Sequence, residues 1–523
     1  MTNCRTDPKV EEETIEYKRT VNEVIIAPLN EPDNLNPVLT TDNIALNAIG
    51  YMFQPLQAIN PATLALEPLL VKSAPETKEE GDGIAYTFEL REDAVWPNGS
   101  PITAEDVTFS IKAILNPKVP TRFRALLSPF SDLILDDENP KKFTIVMKGK
   151  NIRNEAVASS SFFILPAYHY DAQNLLSDIS VKDLLDPKKA ENLAASNPNL
   201  QAFADEFLKP KYAREVDGVV GSGPYRLAEW VTGQSVTLEK KEDWWGDSVE
   251  DNVYYGNNVD KIIMQPIGEA NVAVAAMQNE EIDIIGGMVP ETYKTLKADE
   301  NVSKVYELAS APRYVWGFWY INLENPKLAD KRVRRALAHV VDVDAIIDNV
   351  LDAPLDRITT PFLSSMPGYD ASLKPIEFDV EKARALLKDA GWEDSNNNGV
   401  VDKMIDGELV EMNLSIATSN ARATQEQQAA LVKEDAIQAG INLEILVRDT
   451  RVNIEALNSG DFELTLGALF EPTPSTYDPY QGWHTASVPP NGTNRVRFGN
   501  AETDALIEEI RTTMDVEKRN ELY

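Results

Sequence analysis

Runs of β-branched and aromatic residues in the first part of the chain predict strands separated by helices. The predicted strands cover residues 21–27, 84–91 and 143–147. Residues 43–56 are predicted to form a helix, and Thr103 to Asp106 form a pattern close to a capping box at the start of another. Strands and helices that alternate in this way are typical of a mixed α/β protein.

The sequence changes character at residues 221–225, where two glycines and a proline predict a fixed turn. Residues 225–230 and 235–240 follow this turn and are predicted to pair as a hairpin. A strand, a helix and a strand then come in order, at residues 262–264, 271–279 and 282–285. This order predicts a crossover unit with parallel strands.

A second strand, helix and strand pattern occupies residues 412–417, 422–439 and 441–447. Asp379 and Gly391 are predicted to cap the start and the end of another helix just before it. Because these elements lie far along the chain from the first crossover unit, we expect a second lobe with its own parallel strands.

An aromatic segment from Arg313 to Asn322 predicts a strand, and Asp330 after it is placed to cap a basic helix. Alternate residues of a strand lie on opposite faces, so Trp316, Phe318 and Tyr320 are separated from Trp319. One face can therefore fill a core while the other lines a cavity. We expect Trp316, Phe318 and Trp319 to contribute ligand-binding surface, and core packing is the alternative for each.

Length and charge exclude several classes of protein. A chain of 523 residues exceeds a single core, so two or three domains are expected. The 84 acidic and 50 basic residues give a net charge of −34, which would repel a phosphate backbone and disfavours nucleic acid as a partner. The sequence contains no apolar run long enough to cross a bilayer.

The single cysteine, Cys4, excludes a disulfide within the chain and a cysteine-based metal cluster. It lies in a polar segment, residues 1–20, that is predicted to be a flexible tether. Cys4 has two interpretations: an incidental residue, or the lipidated cysteine of a bacterial lipoprotein. The second predicts a membrane contact through a lipid anchor, and a location in the periplasm or cell envelope.

Several short motifs follow one another in order along the chain. They are Tyr86–Arg91 with Gly99–Val107, Gly221–Tyr225, Asn322 with Arg332–Leu337, and Phe378–Leu387 with Gly391–Trp392. Together, over about residues 20 to 523, they resemble family 5 extracellular solute-binding proteins. These are the oligopeptide-, dipeptide- and nickel-binding components of ABC transporters.

The resemblance implies an α/β, two-lobe periplasmic-binding-protein-like fold with an extra α+β domain in the first lobe. Lobe I would comprise residues 21–60 and 215–315, the extra domain 61–214, and lobe II 316–523. Family members continue beyond the helix predicted to start near Glu502, so the chain is expected to stop within that helix and to lack a C-terminal return to lobe I.

The function implied is capture of a solute in a cleft between two lobes and its delivery to an ABC permease. A peptide is the favoured solute. An oligosaccharide or a metal chelate is the alternative within the family, because aromatic clefts also suit sugars.

A peptide receptor needs an acidic anchor for the ammonium group and a basic anchor for the carboxylate. Family members commonly place an aspartate in the segment corresponding to residues 467–479, where this chain offers Glu471 first and Asp478 second. Arg451 is the candidate for the carboxylate, and a surface ion pair is its alternative. The remaining ligand-binding candidates are Glu31 and Asn36 in a loop that resembles the family's cleft-facing turn, Asn322, Phe470 and Trp483.

Residues 394–402 match the first part of a calcium loop. Oxygen donors stand at Asp394, Asn396, Asn398 and Asp402, with Gly399 at the sixth position. Ile405 occupies the position of the closing acid, so a plain Asn-Gly turn is the favoured interpretation and a calcium site the alternative. No other cofactor is predicted.

An enzyme, for instance an acid-rich hydrolase, is the rival class. The chain contains three histidines, His169, His339 and His484, and no metalloprotease, nucleophile-elbow or phosphate-loop motif. The small number of histidines also argues against direct ligation of nickel. We therefore expect a binding protein and not an enzyme.

Overall fold

Packing divides the chain into two units. Unit 1 comprises Met1–Asn60, Leu66–Gly149 and Glu155–Ala309, and unit 2 comprises Pro61–Ala65, Lys150–Asn154 and Ser310–Tyr523. The structure, a computed structural model, describes residues 22–249, 253–310, 315–351, 353, 355–362, 364, 366, 368–470 and 477–523. Cys4 and the predicted tether lie outside the described residues.

The strands up to residue 285 are β1 (Glu23–Ala27), β2 (Gln57–Ile59), β3 (Leu66–Pro68), β4 (Glu76–Glu80), β5 (Gly83–Glu89), β6 (Phe130–Leu135), β7 (Lys142–Met147), β8 (Tyr225–Val231), β9 (Ser235–Lys240), β10 (Lys261–Met264) and β11 (Ile284–Ile285). Those that follow are β12 (Val315–Ile321), β13 (Asp402–Ile405), β14 (Glu408–Glu411), β15 (Asn413–Ser419), β16 (Asn442–Arg448) and β17 (Leu464–Phe470).

The helices up to residue 305 are α1 (Asn43–Met52), α2 (Ala104–Leu115), α3 (Asn154–Ser160), α4 (Ala167–Tyr170), α5 (Val181–Leu185), α6 (Pro187–Ser196), α7 (Pro198–Phe207), α8 (Lys211–Arg214), α9 (Ala270–Gln278), α10 (Pro290–Ala298) and α11 (Glu300–Val305). Those that follow are α12 (Lys331–His339), α13 (Val343–Ile346), α14 (Val380–Asp389), α15 (Ala423–Gln438), α16 (Thr450–Ser459), α17 (Tyr480–Trp483), α18 (Ala501–Thr512) and α19 (Val516–Leu522). Short 3-10 turns cover Phe123–Leu127, Trp245–Ser248, Val253–Tyr255 and Thr485–Ser487, and a π turn covers Ile347–Leu351.

Unit 1 contains a mixed sheet in the order β11-β1-β10-β9-β8. Strand β1 is parallel to β10 and to β11, while β8, β9 and β10 are antiparallel. The predicted hairpin and the predicted crossover unit are therefore both confirmed, with α9 connecting β10 to β11. A second sheet, in the order β4-β5-β7-β6, is wholly antiparallel.

One large core cluster runs through the predicted lobe I and the predicted extra domain. It joins Ile49 of α1 and Leu238 of β9 to Phe88 of β5, Phe143 of β7 and Phe203 of α7. Both predicted domains fall in unit 1 apart from residues 61–65, 150–154 and 310–315. The boundary between them stays a prediction.

The predicted fixed turn at Gly221–Tyr225 needs its glycines because backbones approach closely there. A Cβ on Gly221 would lie 2.3 Å from the Met52 carbonyl oxygen, and one on Gly223 2.7 Å from that of Tyr51. The Lys241 amine donates to the carbonyl oxygens of Gly221 (2.7 Å) and Gly223 (2.6 Å). Burial lowers the pKa of Lys241 to about 7, because it disfavours the charged form.

Unit 2 contains a sheet in the order β12-β17-β15-β16. Strand β15 is parallel to β16 and β17, and β12 is antiparallel to β17. Its main core cluster lies on one face of this sheet and includes Leu337 of α12, Ile416 of β15 and Leu443 of β16. The predicted strand, helix and strand order of lobe II is confirmed, with α15 as the connecting helix.

The caps predicted for two helices of unit 2 are confirmed. Asp330 accepts from the Arg332 backbone at 2.8 Å, and Asp379 accepts from the Lys382 backbone at 2.9 Å. The Arg332 guanidinium holds the pKa of Asp330 at about 2. Gly391, just past α14, has φ +84°, as a left-handed stop requires.

The prediction that one helix runs from near Glu502 to the last residue is wrong. Helix α18 ends at Thr512, and a separate helix, α19, covers Val516–Leu522. Asp515 causes the break, since its side chain accepts from the Lys518 backbone at 2.9 Å and starts a new helix. Within the described part of the chain, no helix is long and apolar enough to cross a membrane.

Candidate functional site

Ligands of α/β proteins bind at the carboxyl ends of parallel strands, and the sheet of each unit has such an edge. In unit 1, β1, β10 and β11 are parallel and end at Ala27, Met264 and Ile285. The loop that follows β1 carries Glu31 and Asn36. Both candidates predicted from the sequence therefore lie in a loop at the carboxyl edge of unit 1.

The Glu31 carboxylate is fully engaged by groups of its own unit. One oxygen accepts from the Arg214 guanidinium at 3.0 Å and from the Trp230 indole N–H, and the other accepts from the Gly233 backbone at 2.9 Å. The Arg214 guanidinium also lies 4.2 Å from the centre of the Trp230 ring. Glu31 thus ties the loop after β1 to the turn between β8 and β9.

Asn36 is buried, with 0% of its surface exposed. Its side-chain oxygen accepts from the Val38 backbone at 3.0 Å, and its carbonyl oxygen accepts from the Thr40 backbone at 3.1 Å. Within the described residues the side-chain N–H group of Asn36 has no hydrogen-bond partner. These contacts shape the turn, and no part of the side chain faces solvent.

The carboxyl edge of unit 2 is rich in arginine. Strands β15 and β16 end at Ser419 and Arg448, and helices α15 and α16 begin directly after them, with Arg422 and Arg451 at their first turns. Strand β12 starts at the same edge, because Val315 pairs with Phe470 at the end of β17. An arginine-rich edge is notable in a chain with a net charge of −34.

Two of these arginines have no internal partner within the part of the chain that the structure describes. Among the residues that the structure describes, the side chains of Arg422 and Arg448 make no hydrogen bond and no ion pair. Arg451 does have a partner, since it donates to Glu455 at 3.0 Å, but its side chain is 86% exposed. Guanidinium groups at this edge are therefore open to a carboxylate from a ligand.

The aromatic strand β12 has the two faces that alternation predicts. The rings of Trp316 and Phe318 are 4.4 Å apart and those of Phe318 and Tyr320 are 4.7 Å apart, so these three share one face. Trp319 lies on the other face and packs with Ile321 against the main core cluster of unit 2.

The two faces differ in what they can offer a ligand. Phe318 packs against a small cluster formed by Tyr320, Leu457 and Phe462. Trp316 is half-buried and pairs with Leu469, one position from the carboxyl edge. Of the three aromatic candidates, Trp316 therefore lies nearest to the arginines, and Trp319 is half-buried and packs against the main core cluster.

Asn322 lies at the opposite end of β12 and acts as a structural link. Its amide N–H groups donate to the carbonyl oxygens of Gly460 (3.0 Å) and Phe462 (2.9 Å), and its side-chain oxygen accepts from the Glu324 backbone at 3.1 Å. Only 6% of the residue is exposed. The structure does not bring Asn322 to the carboxyl edge.

Asp478 and Trp483 belong to a polar and aromatic cluster around α17. Asp478 accepts from the Arg511 guanidinium at 3.0 Å and only 7% of its side chain is exposed. The Trp483 indole donates to the Tyr477 hydroxyl at 2.8 Å. Both side chains are thus engaged within unit 2. Glu471 and the side chain of Phe470 lie outside the described residues.

The predicted calcium loop is organised by its own backbone. The Asp394 carboxylate accepts from the backbones of Asn398 (3.0 Å) and Gly399 (2.9 Å). Asp402 is buried and accepts from the backbone (3.0 Å) and hydroxyl (2.7 Å) of Ser395.

The asparagines of the loop donate to a carboxylate on the neighbouring strand. Asn396 and Asn398 reach Glu411, at the end of β14, at 3.3 Å and 2.7 Å. Hydrogen bonds from Asn413 and from these two amides hold the pKa of Glu411 below its usual value. No group of three or more histidine, cysteine or acidic side chains suited to a metal occurs in the described part of the chain.

Arg422 and Arg448 are the functional candidates that sequence reasoning missed. The predicted strand, helix and strand of lobe II put the end of each strand and the start of each helix at one edge. An inventory of the charged residues at those junctions would have found both. Arg451 alone was selected because it follows the second strand in a turn-like sequence.

Two α/β units, each with parallel strands that end in polar loops, define the class of two-lobe binding proteins. The chain belongs to the bacterial extracellular solute-binding proteins of family 5. The profile described as "Bacterial extracellular solute-binding proteins, family 5 Middle" matches residues 65–490. The predicted family and the predicted fold class are both confirmed.

The chain is also similar to individual proteins of known sequence and structure. The oligopeptide-binding protein AppA of Bacillus subtilis is 26% identical over 509 residues, which cover 96% of this chain and 82% of AppA. Its structure in complex with a nonapeptide matches with a TM-score of 0.59 at 22% identity, over 96% of this chain and 89% of that one. The structure of NikZ from Campylobacter jejuni in complex with Ni(L-His) matches with a TM-score of 0.62 at 22% identity and the same coverage.

Proposed function

We propose that the chain is the solute-binding component of an ABC importer and that its solute is a peptide. The observation that carries the proposal is the arginine-rich carboxyl edge of unit 2, where Arg422 and Arg448 have no partner among the described residues. A free peptide has a terminal carboxylate, which a guanidinium binds with two parallel hydrogen bonds.

Trp316 supports the same proposal. It is half-buried beside this edge, so its ring can cover an apolar part of a ligand at little cost in conformational entropy. The relationship to AppA, whose structure contains a nonapeptide, also favours a peptide.

A metal chelate is the second candidate, and one observation favours it. NikZ, which this chain resembles in fold, was solved in complex with Ni(L-His). The carboxylate of such a chelate would suit the same arginines. In this form of binding the metal keeps its own small-molecule ligands, so no cluster of protein ligands is needed.

A thermal-shift screen tests the proposal and separates the candidates. The full chain is heated with short peptides, oligosaccharides or Ni(L-His), each in excess. A ligand at a hundredfold over its Kd should stabilise the folded chain by about 2.7 kcal/mol. A shift with peptides supports the proposal. A shift with Ni(L-His) alone would identify a metal chelate as the solute. If neither peptides nor Ni(L-His) produce a shift and the chain turns over a chromogenic glycoside or ester, the enzyme interpretation would replace the proposal.

Delivery and location are parts of the same proposal. We propose that the chain acts outside the cytoplasmic membrane and hands its solute to an ABC permease, because the family is extracellular. Lipid anchoring through Cys4 stays a prediction from the sequence. Mass spectrometry of the mature protein from its native membrane would test it, since an acylated Cys4 adds the mass of the lipid.

Calcium at residues 394–402 also stays a prediction, with the plain turn as its favoured alternative. Calorimetric titration of the chelator-treated protein with calcium chloride distinguishes the two. Saturable binding that Asp394→Asn removes would establish the site. Heat that is the same in both proteins would favour the turn.

A further inference from the structure

Four segments of the chain have the sequence Asn-x-Ser or Asn-x-Thr, in which x is not proline. They begin at Asn98, Asn301, Asn413 and Asn491. In a protein that acts outside the cytoplasmic membrane, this sequence is an acceptor for N-linked glycosylation and belongs to surface loops. Because the motif consists of an amide and a hydroxyl, both groups must be presented to solvent together.

Asn98 lies at the tip of a tight turn in unit 1, after β5. The backbones of Val95 and Pro101 pair across this turn, and Gly99 has φ +81°, which favours glycine. Asn98 and Gly99 are exposed, and a Cβ on Gly99 would meet no atom of the described residues within 4 Å. The tip of the turn is therefore open to a large substituent.

The amide and the hydroxyl of this motif lie side by side. The Asn98 side-chain oxygen accepts from the Ser100 hydroxyl at 2.7 Å and from the Ser100 backbone at 3.0 Å, which forms an Asx turn. The Asn98 amide nitrogen makes no hydrogen bond within the described part of the chain. The nitrogen that would carry a sugar is thus exposed and next to the hydroxyl that the motif requires.

The motif at Asn413 is engaged in the sheet of unit 2. The Asn413 amide nitrogen donates to Glu411 at 3.0 Å, and its side-chain oxygen accepts from Asn442 at 2.8 Å. The Ser415 hydroxyl donates to Glu463 at 3.0 Å. Both groups of this motif therefore already have partners inside the protein.

The two remaining motifs hold the hydroxyl away from the amide. Asn301 lies in helix α11, and the Ser303 hydroxyl donates to the Asp299 carbonyl oxygen at 3.2 Å. The Thr493 hydroxyl donates to a backbone carbonyl oxygen of α17 at 2.9 Å and not to Asn491. Of the four motifs, the one at Asn98 alone presents its amide and its hydroxyl together.

We propose that Asn98 is a site of N-linked glycosylation and that the other three motifs stay unmodified. The co-substrate is an oligosaccharide carried on a lipid phosphate. A bond forms between the Asn98 amide nitrogen and the anomeric carbon of the sugar, while the bond from that carbon to the phosphate oxygen breaks. The lipid phosphate leaves with the bonding electrons, and the nitrogen gives up one proton. This proposal rests on one part of the proposed function, the location outside the cytoplasmic membrane, and is independent of the solute.

Mass spectrometry of the chain isolated from its native cells tests the proposal. Trypsin places each motif on its own peptide, because cleavage after lysine and arginine gives residues 92–112, 298–304, 404–422 and 452–495. The peptide 92–112 is expected to carry the mass of a glycan, and the other three are expected without one. The intact glycopeptide is measured, because enzymatic release of the glycan converts Asn98 to aspartate, as spontaneous hydrolysis of an Asn-Gly amide also does.

Variants expressed in the same cells connect the modification to the motif. Ser100→Ala removes the hydroxyl, keeps Asn98 and the backbone contact of the Asx turn, and should abolish the modification. Ser100→Thr keeps a hydroxyl and should preserve it. Thr493→Ala is the matched control at the Asn491 motif and should leave the glycan on the peptide 92–112 unchanged. Circular dichroism confirms that every variant is folded.

Different outcomes overturn different proposals. An unmodified peptide 92–112 in the native chain, or a glycan that survives Ser100→Ala, would overturn the site and leave the Asx turn with a structural role only. A glycan on another motif but not on Asn98 would overturn the choice among the four. Cell fractionation reports on the location separately. A chain that lies outside the cytoplasm and carries no glycan would overturn the glycosylation and not the proposed function.

Discussion

The carboxyl edges of the two units use charged side chains in opposite ways. In unit 1, Glu31 accepts hydrogen bonds from Arg214, Trp230 and Gly233, and these contacts hold a loop in place. In unit 2, Arg422 and Arg448 occupy the corresponding edge without partners among the described residues. Position at a sheet edge therefore does not identify a ligand-binding charge. Its internal partners distinguish an engaged charge from one that is open to a ligand.

The largest effect on stability is expected in strand β12 of unit 2. Trp319→Ala should lower the free energy of unfolding by about 3 kcal/mol, because Trp319 packs against the main core cluster of unit 2. Trp316→Ala is the matched control and should cost about 1 kcal/mol, since Trp316 is half-buried near the open edge. Chemical denaturation measures both. A larger loss for Trp316→Ala would reverse the assignment of the two faces.

A substitution of Glu31 tests whether its carboxylate stabilises the carboxyl edge of unit 1. Glu31→Ala leaves the Arg214 guanidinium, the Trp230 indole and the Gly233 backbone without their acceptor, so a loss of about 2 kcal/mol in unfolding free energy is expected. Glu269→Ala, an exposed acid of the same unit before α9, should change it by less than about 0.5 kcal/mol. If Glu31→Ala were neutral in stability but abolished ligand binding, Glu31 would be a ligand contact.

The buried amine of Lys241 in unit 1 predicts a pH dependence of stability. Burial lowers the pKa of Lys241 to about 7 in the folded chain, against an ordinary value of 10.5. Between these values the unfolded chain binds more protons than the folded chain, so stability rises as the pH increases. We expect a gain of about 2 kcal/mol from pH 7 to pH 9 in chemical denaturation. Lys241→Met should remove this gain, and an unchanged slope would show that other groups cause it.

Arg451 carries the smallest expected effect on stability. Its ion pair with Glu455 is exposed, with 86% of the arginine side chain accessible, so Arg451→Ala should change the unfolding free energy by less than about 0.5 kcal/mol. Arg511→Ala is the contrasting variant, because the Asp478 side chain is buried and would lose the cation that it pairs with among the described residues. Similar losses for the two variants in thermal denaturation would contradict this ranking.

Local sequence rules predicted the elements that depend on neighbours in the chain. The caps at Asp330 and Asp379 and the two faces of β12 follow from residues a few positions apart, and all are confirmed. The break between α18 and α19 was missed although Asp515 is a strong capping residue.

Contacts between distant residues decided what sequence reasoning could not. The partners of Glu31 include Arg214, 183 positions away, and Asn322 is held by carbonyl oxygens 138 and 140 positions away. The sequence does not show whether a charged side chain is paired within the protein. Glu31 was therefore expected to bind a ligand, and Arg448 was not considered. The side-chain partners that separate these cases are set only when the sheets form.

We propose that the open arginines of unit 2 bind the carboxylate of a peptide solute. Calorimetric titration of the full chain compares one short peptide with a free and with an amidated C-terminus. The free acid should bind about tenfold more tightly or better, and Arg422→Gln should remove this difference. Equal affinity of the two peptides for the wild type would contradict the claim while preserving peptide capture. The absence of binding by either peptide would contradict both.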